Sequence, residues 1–220
     1  MENLKAKYVW EWPVRIVHWV NFLTILILSV TGIYIGWAKT LAHDPSQYVM
    51  GWMRFIHFVA AYAFTISVLS RIYWAFAGNE YANWRTFVPW MFKDGRKNMK
   101  ETFLFYIFAK PNPPHVVGHN AMAGAAYLWV FLLYLVMICT GFALYGEYAP
   151  GSFLRGAFGW VFLFGSNQGL RLTHHLVMWL LIAFAIHHVY SAWLMDVKEK
   201  NGGMSSIFGG WKSVHEEERS

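Results

Sequence analysis

The stretch from Arg171 to Met195 constrains this chain more than any other part of its sequence. It is long and apolar enough to cross a bilayer as a helix, which takes about 20 residues. It nevertheless carries two pairs of adjacent histidines, at positions 174–175 and 187–188. An imidazole inside hydrocarbon is unfavourable, and an ionisable residue at such a place indicates a functional site. The sequence therefore predicts a membrane helix that carries a functional site.

Helical periodicity shows which of these histidines lie on one face. At about 100° per residue, the spacing of 14 between His174 and His188 returns to within about 40° of the starting direction. The spacings of 12 and 13 among the other members end about 120° and 140° away. His174 and His188 therefore share a face, about 21 Å apart along the axis. Two ligands at different membrane depths predict two stacked metal centres, with His175 and His187 as pocket-lining or hydrogen-bonded neighbours.

Composition excludes a soluble domain. Hydrophobic residues make up 57% of the 220 residues and charged residues 14%, against about 25% charged in a soluble domain. The single cysteine, Cys139, cannot by itself hold an iron–sulfur cluster. If electrons arrive from such a cluster, another chain carries it. The first 15 residues are charged and bulky, and we expect no cleavable signal peptide.

Four apolar segments predict an all-α integral membrane four-helix bundle, formed as a single domain by residues 1–220. The spans cover about residues 15–37, 53–77, 121–145 and 171–195, and residues 78–118 form a cytoplasmic connection. Trp10 and Trp12 indicate an interfacial lead-in. Of the 18 Lys and Arg residues, 14 fall on the side of the termini, which predicts that both termini are cytoplasmic. This distribution accounts for the net charge of +6, so we expect membrane lipid and no nucleic acid as a partner.

Two further histidines lie in the first two spans and match the fourth span by depth. His18 is near the start of the first span and His57 near the start of the second. Because successive spans alternate in direction, His57 pairs with His174 near the outer face, and His18 pairs with His188 near the cytoplasm. Each pair can clamp one haem iron, and an iron with both axial positions filled favours electron transfer over ligand chemistry.

Small and basic residues accompany these histidines. Gly124 lies among alanines on the third span and predicts a thin face that a macrocycle or a helix can approach. Gly32 and Gly36 predict a similar thin face on the first span. Arg54 lies three residues before His57, on the same face, where it can pair with haem propionates or serve as a plain interfacial anchor.

At these residues the sequence resembles the cytochrome b subunit of membrane-bound nickel–iron hydrogenases. The resemblance covers nearly the whole chain, and its motifs are RIVHW (15–19), RFIH (54–57), RIYWAFAGNEYANWR (71–85), VGHNAMAGAAY (117–127), MICTGFALYGE (137–147), and His174, Met178-Trp179 and His188-Val-Tyr190 on the fourth span. The family's ligands to two haem b groups carry over to His18, His57, His174 and His188.

The resemblance also implies partners and a location. It implies an inner-membrane subunit that receives electrons from the iron–sulfur small subunit of a periplasmic hydrogenase, whose nickel–iron large subunit oxidises hydrogen. The outer haem would accept these electrons, and the inner haem would reduce a quinone near the cytoplasmic face. His119 and Asn120 are candidates for part of the quinone site, with capping of the third span as the alternative reading of both.

Two other functions stay open on the sequence. One is the membrane cytochrome b subunit of a formate dehydrogenase-type or other quinone-linked oxidoreductase, because its four histidine ligands would look the same. The other is a haem-free membrane anchor or a transporter whose histidines relay protons.

Overall fold

The computed structural model describes residues 4–37, 41–148 and 150–215, and within these ranges the chain is mainly helical. In chain order the helices are α1 (Trp12–Gly36), α2 (Val49–Ala77), α3 (Lys93–Tyr106), α4 (Ala121–Gly146), α5 (Phe153–Phe158), α6 (Asn167–Glu199) and α7 (Gly203–Gly209). Four of them, α1, α2, α4 and α6, are long and apolar enough to cross a membrane. Each begins and ends within four residues of a predicted span. The all-α membrane fold predicted from the sequence is confirmed.

Segments near the two ends of the chain form a small sheet that the sequence analysis does not predict. Strand β1 (Leu4–Tyr8) pairs antiparallel with β2 (Trp211–His215), with Tyr8 opposite Trp211. The backbone N–H groups of Val9 and Trp10 then donate to the carbonyl of Gly210, at 2.8 and 3.1 Å. The side chain of Trp10 is buried, and its indole donates to Ser206 Oγ at 3.0 Å, while the interfacial position of this segment stays a prediction.

Contacts divide the chain into two compact units. Unit 1 comprises Met1–His18, Ser70–Val130 and Ala185–Ser220, and unit 2 comprises Trp19–Leu69 and Phe131–Phe184. Each unit contains one end of all four long helices. The single domain and the side on which the termini lie stay predictions.

Within unit 2 the four helix segments form a closed ring of contacts. Helices α2 and α4 meet through aromatic pairs, such as Phe58 with Tyr145 at 4.1 Å between ring centroids and Tyr62 with Phe142 at 5.1 Å. The remaining contacts, α1 with α2, α4 with α6 and α6 with α1, all involve histidine rings. The segments therefore pack as a four-helix bundle whose interior is lined by imidazoles.

In unit 1, hydrogen bonds connect the residue that precedes α1 to the end of α2 and to the loop that follows it. The Glu11 carboxylate accepts from the indole of Trp74 and from the backbone N–H of Asn79, both at 2.9 Å. The buried Arg71 guanidinium donates to the carbonyl of Ala82, also at 2.9 Å. These bonds turn the chain back onto α1 as soon as α2 ends.

The connection from Gly78 to Gly118 is largely folded. Asn98 on α3 accepts from the first backbone N–H of α4, that of Ala121, at 2.8 Å, which fastens α3 to the beginning of a membrane helix. The thin face of α4 at Gly124 packs against the backbone of the connection. A Cβ there would lie 2.0 Å from the carbonyl oxygen of Thr86, in a short 3-10 turn of the connection.

Candidate functional site

Unit 2 encloses a cavity of about 210 Å³ between its four helix segments. The lining is predominantly apolar, with a few polar side chains that converge on it. They include three imidazoles and two guanidinium groups: His57, His174, His175, Arg54 and Arg171. An apolar chamber with a small convergent polar set is typical of a cofactor site.

Two threonine hydroxyls determine how His57 and His174 present their rings. Thr31 Oγ1 on α1 lies 2.8 Å from His57 Nδ1, and Thr140 Oγ1 on α4 lies 2.8 Å from His174 Nδ1. Each hydroxyl donates its own hydrogen to a carbonyl four residues earlier in its helix, at 2.7 and 2.6 Å. The threonine oxygen therefore accepts from the histidine, which places the imidazole proton on Nδ1. Nε2 keeps its lone pair, and a metal can bind it.

A glycine follows each threonine and touches the same ring. A Cβ on Gly32 would lie 3.4 Å from His57 Cε1, and one on Gly141 would lie 3.2 Å from His174 Cε1. A Cβ would just touch the imidazole at Gly32 and would press on it at Gly141. The glycines thus let α1 and α4 approach the two rings closely.

His175 occupies a separate place beside the same cavity. Its Nδ1 lies 3.0 Å from the carbonyl of Arg171, one turn earlier in α6, so Nδ1 donates. Its Nε2 points at α1, where a Cβ on Gly36 would lie only 2.2 Å away. His175 is a pocket-lining residue, as the sequence suggested, and it packs closely against helix α1.

The two arginines of the cavity meet at one tyrosine. The Arg54 guanidinium lies 6.0 Å from the ring centroid of Tyr148, and Arg171 donates to the Tyr148 hydroxyl at 3.5 Å. That hydrogen bond with Arg171 lowers the pKa of Tyr148 from its ordinary value. Two positive charges beside an apolar chamber favour a ligand that carries carboxylates.

Unit 1 brings together the other two predicted histidines. The rings of His18 and His188 lie 6.3 Å apart between centroids, at 54°. The hydroxyl of Tyr127 lies 3.4 Å from His188 Nδ1. His187, by contrast, is exposed, and its Nδ1 lies 3.1 Å from Ser191 Oγ on its own helix.

Behind this pair lies His119, which is packed between two aromatic rings. Its centroid is 4.5 Å from that of Trp10 and 4.7 Å from that of Tyr127. Burial, together with the charge of Lys212, holds the pKa of His119 well below its usual range. The adjacent Asn120 caps α4, since its Oδ1 accepts from the backbone N–H of Ala123 at 2.8 Å.

These arrangements fit b-type haem. Among the described residues, no group of three or more His, Cys, Asp or Glu side chains is placed to hold a bare metal ion. Each unit instead brings together a pair of imidazoles from different helices, His57 with His174 and His18 with His188, and such a pair would fill the two axial positions of a haem iron. In unit 2, both of these rings keep Nε2 available, and Arg54 and Arg171 are available to propionates.

A family model described as prokaryotic cytochrome b561 matches residues 9–210. The chain belongs to this family. Among curated proteins, it is 41% identical over 217 residues to the "Probable Ni/Fe-hydrogenase B-type cytochrome subunit" of Cupriavidus necator, covering 96% of this chain and 89% of that protein. It is 39% identical over 214 residues to the protein of the same name from Azotobacter vinelandii, covering 94% and 88%. It is 37% identical over 220 residues to the "Probable Ni/Fe-hydrogenase 1 B-type cytochrome subunit" of Escherichia coli K12, covering 96% and 93%.

For this cytochrome b561 family protein, the sequence predicts all four paired histidines and Arg54, but three polar residues of the site were not expected: one lines the cavity, and two bond to its histidines. Thr31, Thr140 and Arg171 were not singled out, because a threonine in an apolar helix and an arginine at a helix start have ordinary structural uses. One signal was present. The dipeptide Thr-Gly occurs once in α1 and once in α4, each time within an apolar run.

Proposed function

We propose that this protein is a di-haem b-type cytochrome subunit that passes electrons from the iron–sulfur small subunit of a periplasmic nickel–iron hydrogenase to the quinone pool. The observation that carries the proposal is that each unit brings together two imidazoles from different helices. The names of the relatives, which are B-type cytochrome subunits of Ni/Fe-hydrogenases, support the haem type and the partner.

In this proposal His57 and His174 hold one haem b, and His18 and His188 hold the other. A bound haem supplies an iron that takes up and releases one electron. With an imidazole on each side, the protein leaves no coordination position for oxygen or substrate. Arg54, joined by Arg171, binds the propionates of the first haem by charge-assisted hydrogen bonds.

The distribution of charge supports a direction across the bacterial inner membrane. Unit 1 contains both termini and 14 of the 18 Lys and Arg residues, and the positive-inside rule assigns such segments to the cytoplasm. The helix ends that carry His57 and His174 then face the hydrogenase small and large subunits, and those that carry His18 and His188 face the cytoplasm. Quinone is reduced near the latter pair, with His119 as a candidate wall of its site.

The test of the haem assignment is a reduced-minus-oxidised optical spectrum with haem quantified per chain. We expect two haems in the wild type and one in either His57→Ala or His188→Ala. The exposed His187 provides the matched control, and His187→Ala should keep both. A wild type without haem would refute the proposal and leave a membrane anchor or a proton-relay transporter.

The donor and the acceptor are tested in membrane vesicles that contain the complete complex. Hydrogen should reduce both haems, and a quinone should reoxidise them, whereas formate should reduce neither. Reduction by formate instead of hydrogen would move the protein to a formate dehydrogenase-type complex.

A further inference from the structure

We propose that Thr31 and Thr140 are positioning residues that fix the iron-binding nitrogen of His57 and His174 and lower the reduction potential of the haem held by these two histidines. This inference rests on the proposed function, since it concerns how the chain tunes that haem. Thr31 and Thr140 are both buried.

The two threonines allow each histidine only one neutral tautomer. The hydroxyl hydrogen of Thr31 is used by the carbonyl of Ile27 at 2.7 Å, and that of Thr140 by the carbonyl of Val136 at 2.6 Å. Each oxygen can then only accept from the imidazole 2.8 Å away. Nδ1 carries the proton, and Nε2 is the nitrogen left for iron.

The same Thr-Gly dipeptide contacts a histidine ring at two places in unit 2. Thr31-Gly32 on α1 contacts the ring of His57 on α2, and Thr140-Gly141 on α4 contacts the ring of His174 on α6. In both cases the threonine holds Nδ1 while the glycine lies against Cε1. A hydrogen bond at one atom and a close contact at the next restrain rotation of the imidazole about its χ2 angle. Two independent helices that reach the same arrangement indicate a requirement of the site rather than an accident of packing.

The hydrogen bond at Nδ1 also changes the electron density at Nε2. An acceptor at Nδ1–H pulls the proton away from the ring and makes Nε2 a more basic ligand. A more basic ligand stabilises the oxidised iron more than the reduced iron, so the reduction potential falls. The corresponding contact in unit 1, between the Tyr127 hydroxyl and His188 Nδ1, is longer at 3.4 Å. The lower potential is thus expected at His57 and His174, where the proposed function has electrons enter.

The test uses Thr31→Val and Thr140→Val in the full chain, because valine keeps the shape of threonine and removes the hydroxyl. Thr31→Ser and Thr140→Ser restore the hydroxyl. Thr24→Val is the matched control: Thr24 is also buried on α1 and also bonds to a carbonyl one turn earlier, that of Val20 at 2.7 Å. The readouts are haem per chain and a redox titration followed by haem absorbance, with the haem of unit 1 as the internal reference.

We expect each valine variant to raise the potential of one haem component and leave the other unchanged. The ratio of reduced to oxidised haem at a fixed potential should change up to about tenfold, which is about 59 mV for a one-electron couple. The serine variants should return to the wild-type value, and Thr24→Val should not move it. Loss of one haem in a valine variant that serine restores would support the same role.

Three results would overturn the inference. The first is an unchanged reduction potential in both valine variants, and the second is an equal shift in Thr24→Val. The third is a loss of haem that the serine variants do not restore, because such a loss would indicate a packing role alone. A wild type without haem is a different failure: it refutes the proposed function before any threonine variant is measured.

Discussion

Replacing Gly36 by alanine separates the two neighbouring histidines of α6 as candidate ligands. Gly36 is the last residue of α1, and the ring of His175 lies directly against it. A Cβ at this position would come within 2.2 Å of His175 Nε2 and 3.1 Å of its Cε1, whereas ordinary contacts begin near 3.4 Å. The ring therefore has to retreat by about 1 Å.

The cost of this retreat can be estimated from the contacts. His175 is held by its bond from Nδ1 to the Arg171 carbonyl at 3.0 Å, so it cannot swing away freely. Overpacking of this kind costs about 1–3 kcal/mol. We therefore expect a loss of about 1–3 kcal/mol in the free energy of unfolding. Gly51→Ala on α2 is the control, because its Cβ would meet only the Tyr48 Cβ at 3.9 Å.

Haem content decides the functional part of this prediction. Successive residues of a helix point about 100° apart, so a shift of the His175 ring leaves His174 on its threonine. Gly36→Ala should lower the unfolding temperature, followed by tryptophan fluorescence in detergent, and still bind two haems. If Gly36→Ala or His175→Gln lost one haem while His174→Gln kept both, His175 would be the ligand and our reasoning would be wrong.

Three further predictions concern other parts of the molecule. Arg54→Gln and Arg171→Gln should each lower the reduction potential of the haem at His57 and His174, because removing a nearby positive charge favours the oxidised form. A redox titration measures this potential. No change in either variant would contradict the propionate role. Gly124→Ala should destabilise the protein by about 1–3 kcal/mol, since its Cβ would lie 2.0 Å from a backbone oxygen, and thermal unfolding measures it against Gly51→Ala. The pKa of His119 is depressed in the folded protein, so its neutral form stabilises the fold above the unfolded-state pKa of about 6.5, and this stability is lost as the pH falls below that value. The unfolding temperature should therefore drop more between about pH 7 and pH 5 in the wild type than in His119→Gln. Equal drops in the two proteins would contradict this.

The helical fold was predictable because its signal is local. Each long helix has at least 25 residues and contains a window of 18 residues with high mean hydropathy and at most two charged residues, and the bilayer requires about 20 residues. The terminal sheet was not predictable, because β1 and β2 have five residues each and are separated by most of the chain. Neither strand has a hydrophobic pattern that specifies a partner at such a distance. The burial of Trp10 depends on this pairing and was missed with it.

The histidines were predictable because an imidazole in a membrane helix requires an explanation, and helical phase then selects among them. Phase also separates His188 from the exposed His187. Thr31 and Thr140 were not predictable in this way, because their roles depend on which helix lies opposite. A threonine that bonds to its own helix, as Thr24 and Thr65 do, has the same sequence pattern as one that also supports a ligand.

The motifs that carry the resemblance do different physical work. In the stretch from Arg71 to Arg85, the side chains of Arg71, Trp74 and Asn79 bind the backbone of the connection and the start of α1. This stretch therefore supports the fold of unit 1. The stretch from Met137 to Glu147 contains Thr140 and Gly141, which touch His174 directly, so it supports the cofactor site itself.

The asymmetry between the two histidine pairs follows from the direction of the helices. Thr31 lies five residues before the end of α1 and Thr140 six before the end of α4, while His57 and His174 lie eight and seven residues after the starts of α2 and α6. Antiparallel neighbours bring such positions to the same level, so one dipeptide near the end of a helix can support a ligand near the start of the next.

His18 and His188 have the opposite placement, near the start of α1 and in the second half of α6. A residue that supports His188 from α4 must therefore come from the beginning of that helix, and Tyr127 is in that position. Its long side chain reaches the imidazole from farther away than a threonine can, and it makes a weaker bond at 3.4 Å. The order of the helices thus places a threonine beside His57 and His174 and a tyrosine beside His188, and if each pair holds a haem as proposed, we expect the two haems to differ in reduction potential.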